Sequence, residues 1–205
     1  MQRRGRERRA ALLAAAAALL AEGGFAAVSH RAVAERAGLP LAATTYYFAS
    51  RDDLTAAAFE KVMHDELARL RTLLTPAPAG GDGGAAAGRA AVSRARTLVG
   101  ALVPDDPAER RYQLAMYELY VQAGRGDGRL RELARTWTDG CVALTGELLR
   151  AAGRATDDVT VRLIAALADG LALELLVEER TDTTTAVAVL TRALETSDTA
   201  SAGGS

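Results

Sequence analysis

The sequence is poor in the residues on which most protein chemistry depends. Cys141 is the only cysteine in 205 residues, which excludes an intrachain disulfide and a multi-thiolate zinc site. Lys61 is the only lysine beside 24 arginines, so Schiff-base chemistry has almost no candidate nucleophile. The two histidines, His30 and His64, fall in different segments without a ligand cluster. Glu60 and His64 stand four apart, not at the Glu-x-x-His spacing of di-iron bundles. Neither a phosphate-binding GxxxxGK nor a GxSxG nucleophile motif occurs. No catalytic group, metal site or cofactor is therefore expected. Aromatics are only 4% of the chain, and no sustained period-two alternation appears, so sheet is disfavoured.

What is abundant is alanine and arginine, a bias that GC-rich coding produces without reference to function. Apolar residues at 49% and charged residues at 25% describe a soluble globular chain. Glycine and proline punctuate it at Gly23-Gly24, Gly38-Leu39-Pro40, Pro76 to Gly88, Pro104 to Pro107, Gly124 to Gly128, around Gly153 and near Thr181. Between the breaks, apolar residues recur at helical period. Phe59, Val62, Met63, Leu67, Leu70 and Leu74 make one face, and Leu163, Leu167, Leu171 and Leu175 repeat every four. The expected fold is all-α, with about nine helices.

Asp52-Asp53, Asp105-Asp106 and Asp157-Asp158 resemble paired catalytic carboxylates. Each lies where a helix begins, however, and there first-turn amides and the macrodipole favour negative charge. Pro76 to Gly88 reads as a flexible loop, and 197–205 as a disordered tail. Arg125-Gly126-Asp127 spells an adhesion tripeptide by chance. At the start, five arginines followed by the apolar run Ala10 to Ala21 imitate a secretory signal. The run is mostly alanine and shorter than the ~20 apolar residues of a membrane span, so a packing helix, no membrane contact and a cytoplasmic location are expected.

Charge is divided unevenly. Residues 1–51 carry eight arginines and three acidic residues, a net of +5 that leaves −6 for the remainder of a chain whose total is −1. Such asymmetry suits an end that meets a polyanion.

The informative stretch is SHRAVAERAGLPLAATTYYFASRDDL, from Ser29 to Leu54. Ser29 is placed to cap a short helix with Val33 and Ala37 inward. Gly38 tolerates the positive φ of a helix terminator, Leu39 plugs the turn, and Pro40 opens a second short helix, Leu41 to Tyr47. Two short helices about a tight glycine turn, the second carrying exposed hydroxyls, form a helix-turn-helix. Around this motif the first sixty or so residues resemble the DNA-binding domain of the tetracycline-repressor (TetR) family: an Ala/Leu helix, EGGF, a VA-x-x-AGL turn, then TTYYF with Ser50, Arg51 and Leu54. The resemblance implies a homodimeric regulator, usually a repressor. Its C-terminal domain would bind a small molecule and thereby lower affinity for a palindromic operator in double-stranded DNA.

Carried over position by position, Ser29, His30 and Arg31 start the first motif helix, where the family touches phosphates. Leu41, Ala42, Ala43, Thr45, Tyr46 and Tyr47 take the recognition positions, and Arg51 replaces a usual lysine at a phosphate contact. The recognition helix departs from common readout because it lacks Arg, Asn and Gln, the bidentate readers of guanine and adenine. Methyl contacts, hydroxyls and groove shape must then discriminate, with a large electrostatic share in affinity. The Arg3 to Arg9 cluster reads either as a DNA-contacting arm or as a solvated tail.

The domain boundaries expected are 1–50 for DNA binding and 51–196 for ligand binding and dimerisation. Tyr112, Met116, Tyr117 and Tyr120 fall in one helix and Trp137, Cys141 and Leu144 in the next, an apolar lining with hydroxyl anchors that Leu98 and Leu102 would close. The inducer expected there is apolar or amphipathic. Leu163, Leu167, Leu171 and Leu175, with Val187, Leu190 and Leu194, are expected to pack against a symmetry mate as a four-helix bundle. The alternatives are an activator of the same family, or a helical ligand carrier or enzyme that keeps a degenerate motif.

Overall fold

The structure, a computed structural model, describes residues 2–74, 84–126, 128–151 and 157–202. Among them nine helices and no strands occur: α1 (Gln2–Ala27), α2 (His30–Ala37), α3 (Leu41–Tyr47), α4 (Arg51–Leu74), α5 (Gly84–Leu102), α6 (Pro107–Arg125), α7 (Gly128–Ala151), α8 (Asp158–Val177) and α9 (Thr184–Ala202). Two expectations shift. Helix α5 already begins at Gly84, inside the expected loop, because Ala85 to Ala87 are strong helix formers. Helix α9 runs through Ala202, so residues 197–202 are helical and not a disordered tail. The remaining loop residues 75–83, Asp127, the break around Gly153 and the last three residues lie outside the described residues.

The helix ends follow local chemistry. The Ser29 hydroxyl accepts from the Ala32 amide at 3.2 Å, and the Ser50 hydroxyl from the Asp53 amide at 3.0 Å. Asp106 accepts from the amides of Ala108 and Glu109. Asp157 accepts from the Thr160 amide at 2.9 Å and hydroxyl at 2.7 Å, and these bonds hold its carboxyl below the ordinary aspartate range. Asp182 is lowered in the same way by bonds from Thr184. Asp106 and Asp157 are thus helix caps, whereas Asp52 and Asp53 lie in the first turn of α4 behind the Ser50 cap, with the Asp53 carboxylate paired to Arg129 at 3.0 Å. At the end of α8, Arg110 donates to the carbonyls of Leu175 at 2.8 Å and Arg180 at 2.9 Å, a cation at the negative end of the helix.

Two compact units divide the chain: Met1–Glu66 with Ala115–Trp137, and Leu67–Leu114 with Thr138–Ser205. In the first, α1 packs on α2 and α3. Its seam of Leu12, Ala16 and Leu20 is buried with Val28, Val33, Phe48, Leu54 and Phe59. Helix α1 is long and apolar enough by composition to cross a membrane, but this seam faces protein. Regular α1 geometry stops at Gly23-Gly24, where Gly24 takes φ +65°. In the second unit, α5 lies along α9 and α8 packs on both. Ala91, Ala95, Leu98, Ile164, Leu175, Leu190 and Leu194 form its core.

Candidate nucleic-acid interface

The motif geometry arises from three local devices. Ser29 caps α2, Gly38 adopts φ +64° and ψ +31° with its amide returned to α2 carbonyls, and Pro40 opens α3. Leu39 is half-buried and its amide bonds the Ala34 carbonyl at 3.0 Å, which fixes the turn. Val33 is fully buried and Ala34 nearly so, while Ala37 is only half-buried.

Helix α3 then divides its residues by face. Thr44 is fully buried and turns its hydroxyl back to the Leu41 carbonyl at 2.7 Å. Leu41, Ala42, Thr45 and Tyr46 are exposed, Tyr46 by 81%, and Ala43 and Tyr47 are half-exposed. Tyr46 and Tyr47 meet edge to face at 4.9 Å between centroids. An 81% exposed tyrosine on a seven-residue helix stabilises little inside this chain, and its hydroxyl and ring are available to a partner. At the start of α2, Arg31 is exposed, and the structure gives it no ion pair or hydrogen bond among the described residues. His30 is half-buried and its Nδ1 is enclosed without a hydrogen-bond partner.

Arg51 has a role that its spacing did not reveal. Its Nε donates to the Val28 carbonyl at 2.9 Å and a terminal nitrogen donates to the Phe25 carbonyl at 3.1 Å. The guanidinium therefore clasps the chain between α1 and α2 to the first turn of α4. Arg36 is paired with Glu22 through both guanidinium nitrogens, a second tie between α2 and α1. No signal in the sequence marks these partners, which lie 14 to 26 residues away.

The second unit holds a cavity of about 30 Å³ lined by Leu70, Leu74, Leu98, Ala101, Leu102, Cys141, Leu144, Thr145, Ala165, Ala168 and Asp169. Leu98, Leu102, Cys141 and Leu144 of the expected pocket come together there. Tyr112, Met116, Tyr117, Tyr120 and Trp137 are not part of its lining. Met116, Tyr117, Tyr120 and Trp137 belong to the first unit, where Met116 is buried and Tyr120 is 38% exposed. Asp169, Thr145 and the C-terminal end of α4, through Leu70 and Leu74, are contributors that the tyrosine-centred reading missed.

The row expected to face a symmetry mate turns as it ascends. Successive residues of an α-helix are ~100° apart, so an every-four row drifts ~40° per step. Leu163 is 55% exposed, Leu167 and Leu171 are half-buried, and Leu175 is buried. On α9, Leu190 and Leu194 are fully buried within the chain and Val187 is half-buried. Leu175, Leu190 and Leu194 are thus core residues of a single chain, unavailable to a second copy. The face that stays outward follows alternating steps of four and three: Val159, Leu163, Ala166, Gly170, Leu173 and Val177, all exposed, the four large ones by 77%, 55%, 39% and 61% in chain order.

Comparison with known proteins agrees with this architecture. Residues 12–58 match the family described as bacterial regulatory proteins, tetR family, and residues 86–196 match the tetracyclin repressor-like C-terminal domain. The multidrug binding protein EbrR complexed with proflavin is 34% identical, with 91% of this chain and 99% of that chain covered at a TM-score of 0.65. A TetR-family member from Streptomyces coelicolor A3, SCO1917, is 32% identical over 91% of this chain and 98% of its own, at a TM-score of 0.64. At 24% identity, the regulator SCO7518 from Streptomyces coelicolor A3(2) shares the fold at a TM-score of 0.70, over 94% of this chain and 99% of its own. A search of curated protein sequences finds no match. Helix-turn-helix geometry, an all-helical body and both matching domains together place the chain in the tetracycline-repressor family of transcriptional regulators.

Proposed function

We propose that the protein is a homodimeric repressor released from a palindromic operator when a small apolar or amphipathic molecule enters its second unit. The observation that carries this reading is the exposed face of α3, held on a capped glycine turn inside a quarter of the chain with net charge +5. Ser29, His30 and Arg31 are assigned to phosphates. Leu41, Ala42, Ala43, Thr45, Tyr46 and Tyr47 are assigned to the groove, with thymine methyls and groove shape as the main sequence determinants. Two copies are needed because a single short helix binds weakly, whereas two read half-sites about one turn apart. The outward face of α8 supplies the contact between copies.

The ligand assignment rests on the cavity. A volume of about 30 Å³ accepts a water molecule and little more, while sites for drug-sized ligands measure ~300–1,000 Å³. Any such ligand must therefore displace the lining, and its binding energy is tied to a conformational difference, as induction requires. Helix α4 is the element that can transmit it: its first turn follows the motif, and Leu70 and Leu74 at its other end line the cavity. Relatives solved with proflavin, ethidium and malachite green make these aromatic dyes the first probes. Asp169, the one carboxylate in the lining, would orient a cationic member of the set.

The test is selection of bound fragments from random genomic DNA, followed by gel shifts of the recovered site with and without each dye. The expected result is a palindromic site whose complex dissociates on dye addition. Recovery of no enriched site removes the operator reading, and a dye that binds without weakening the complex removes release. Complex formation that is strengthened by the dye favours the activator alternative.

A further inference from the structure

We propose that the DNA-binding surface is wider than the helix-turn-helix: the first two turns of α1 form a rigid arginine-bearing flank that grips the sugar-phosphate backbone beside the groove entered by α3. This rests on the DNA-binding reading above and goes beyond it in naming a second contact surface.

The first observation is position. Gly5 and Arg9 are four apart, so they share the α1 face that continues through the buried Leu12, Ala16 and Leu20. A Cβ at Gly5 would lie 3.5 Å from the Tyr47 hydroxyl, and the Arg9 guanidinium lies 5.6 Å from the Phe48 ring centroid. The start of α1 is thus docked against the end of the recognition helix. It is helical from Gln2, not an extended arm of the kind that threads a minor groove.

The second observation is charge. Arg4, Arg6 and Arg8 are exposed, and the structure gives them no ion pair or hydrogen bond among the described residues. Arg3 has only an exposed contact with Glu7 at 3.4 Å. Cations in the first turns of a helix oppose its macrodipole, and Arg4 and Arg8, one turn apart, repel each other. Helix α1 has no acidic residue in its first turn to offset this. The arrangement is unfavourable in the isolated chain and becomes favourable beside phosphates, which accept the guanidiniums and neutralise the repulsion between Arg4 and Arg8, with Arg6 reaching out from the other side of the helix.

The experiment uses the full-length protein, a fluorescein-labelled 40-base-pair duplex of mixed sequence, and anisotropy titrations over a series of salt concentrations. The triple variant R4Q/R6Q/R8Q is compared with R135Q/R162Q/R192Q, which removes equal charge from exposed positions on α7, α8 and α9. The first should lower the slope of log K against log salt by about 2–3, near 0.9 for each phosphate lost, and the second should leave it unchanged. R4Q/R6Q/R8Q should also melt at or above the wild-type temperature, which separates lost contacts from lost folding. An unchanged slope, or an equal fall in both variants, overturns the proposal. So does binding to phosphatidylglycerol vesicles that R4Q/R6Q/R8Q abolishes while its DNA slope is retained, an outcome that assigns the patch to a membrane surface. A wild-type protein that fails to bind the duplex overturns both this inference and the reading beneath it.

Discussion

Replacing Leu163 by alanine should weaken the dimer without weakening the fold, and replacing Leu190 should do the reverse. On α8, Val159, Leu163, Leu173 and Val177 are exposed in a single chain by 77%, 55%, 39% and 61%. With about 2 kcal/mol for complete burial of such a side chain, covering these fractions contributes roughly 4–5 kcal/mol per subunit, or about 9 for a two-fold contact. That is of the size needed to offset the ~4–15 kcal/mol cost of association. Leu163→Ala removes about 1 kcal/mol per subunit and about 2 per dimer, close to a thirtyfold rise in Kd. Leu190 is fully buried inside the chain, so Leu190→Ala should cost about 2–5 kcal/mol of folding stability and change Kd of the folded protein by no more than about threefold. Sedimentation equilibrium at 20 °C gives the first quantity and thermal unfolding by circular dichroism the second. A folded dimer that Leu190→Ala dissociates and Leu163→Ala leaves intact would refute the assignment of the two faces.

Further outcomes are expected elsewhere. Arg51→Ala breaks two charge-assisted bonds to the carbonyls of Val28 and Phe25; with Arg51 partly solvent-exposed, the loss should be about 1–2 kcal/mol, lowering Tm by a few degrees. A lowered salt slope with unchanged Tm would show instead that Arg51 serves DNA alone. Glu179 adopts φ +54° at the end of α8, a conformation costing a non-glycine residue about 1 kcal/mol, so Glu179→Gly should raise Tm; a fall would mean that the side chain contributes more than the strain. The bonds that lower the Asp157 carboxyl stabilise its charged form. Their contribution is complete above the ordinary aspartate range and is lost as pH falls through the lowered folded value. Asp157→Ala should therefore melt below wild type at pH 7 and approach it near pH 2; a constant gap across that range would contradict the linkage.

Much of the motif was legible because its determinants are local. Ser29, Ser50 and Gly38 act on amides and carbonyls within one turn, so residue type and spacing sufficed to place the caps and the glycine turn. The same holds for Asp106 and Asp157, whose carboxylates meet amides two or three residues on. Arg51 was different, since its chemistry is specified by two carbonyls that only the packing of α1 brings near.

The sequence by itself determined the helices, their caps, the glycine turn and the charge division, because each depends on neighbours along the chain or on composition. Tertiary structure alone decided which side of each helix is spent inside. A row of leucines every four residues looks like one stripe in sequence, yet the 3.6-residue turn carries it from the exposed Leu163 to the buried Leu175. It also decided the cavity, assembled from residues of α4, α5, α7 and α8 that share no spacing. Finally, it turned the arginine cluster from an arm or tail into the first two turns of a helix docked on Tyr47 and Phe48. Those outcomes depend on which surfaces meet, and a linear pattern does not specify that.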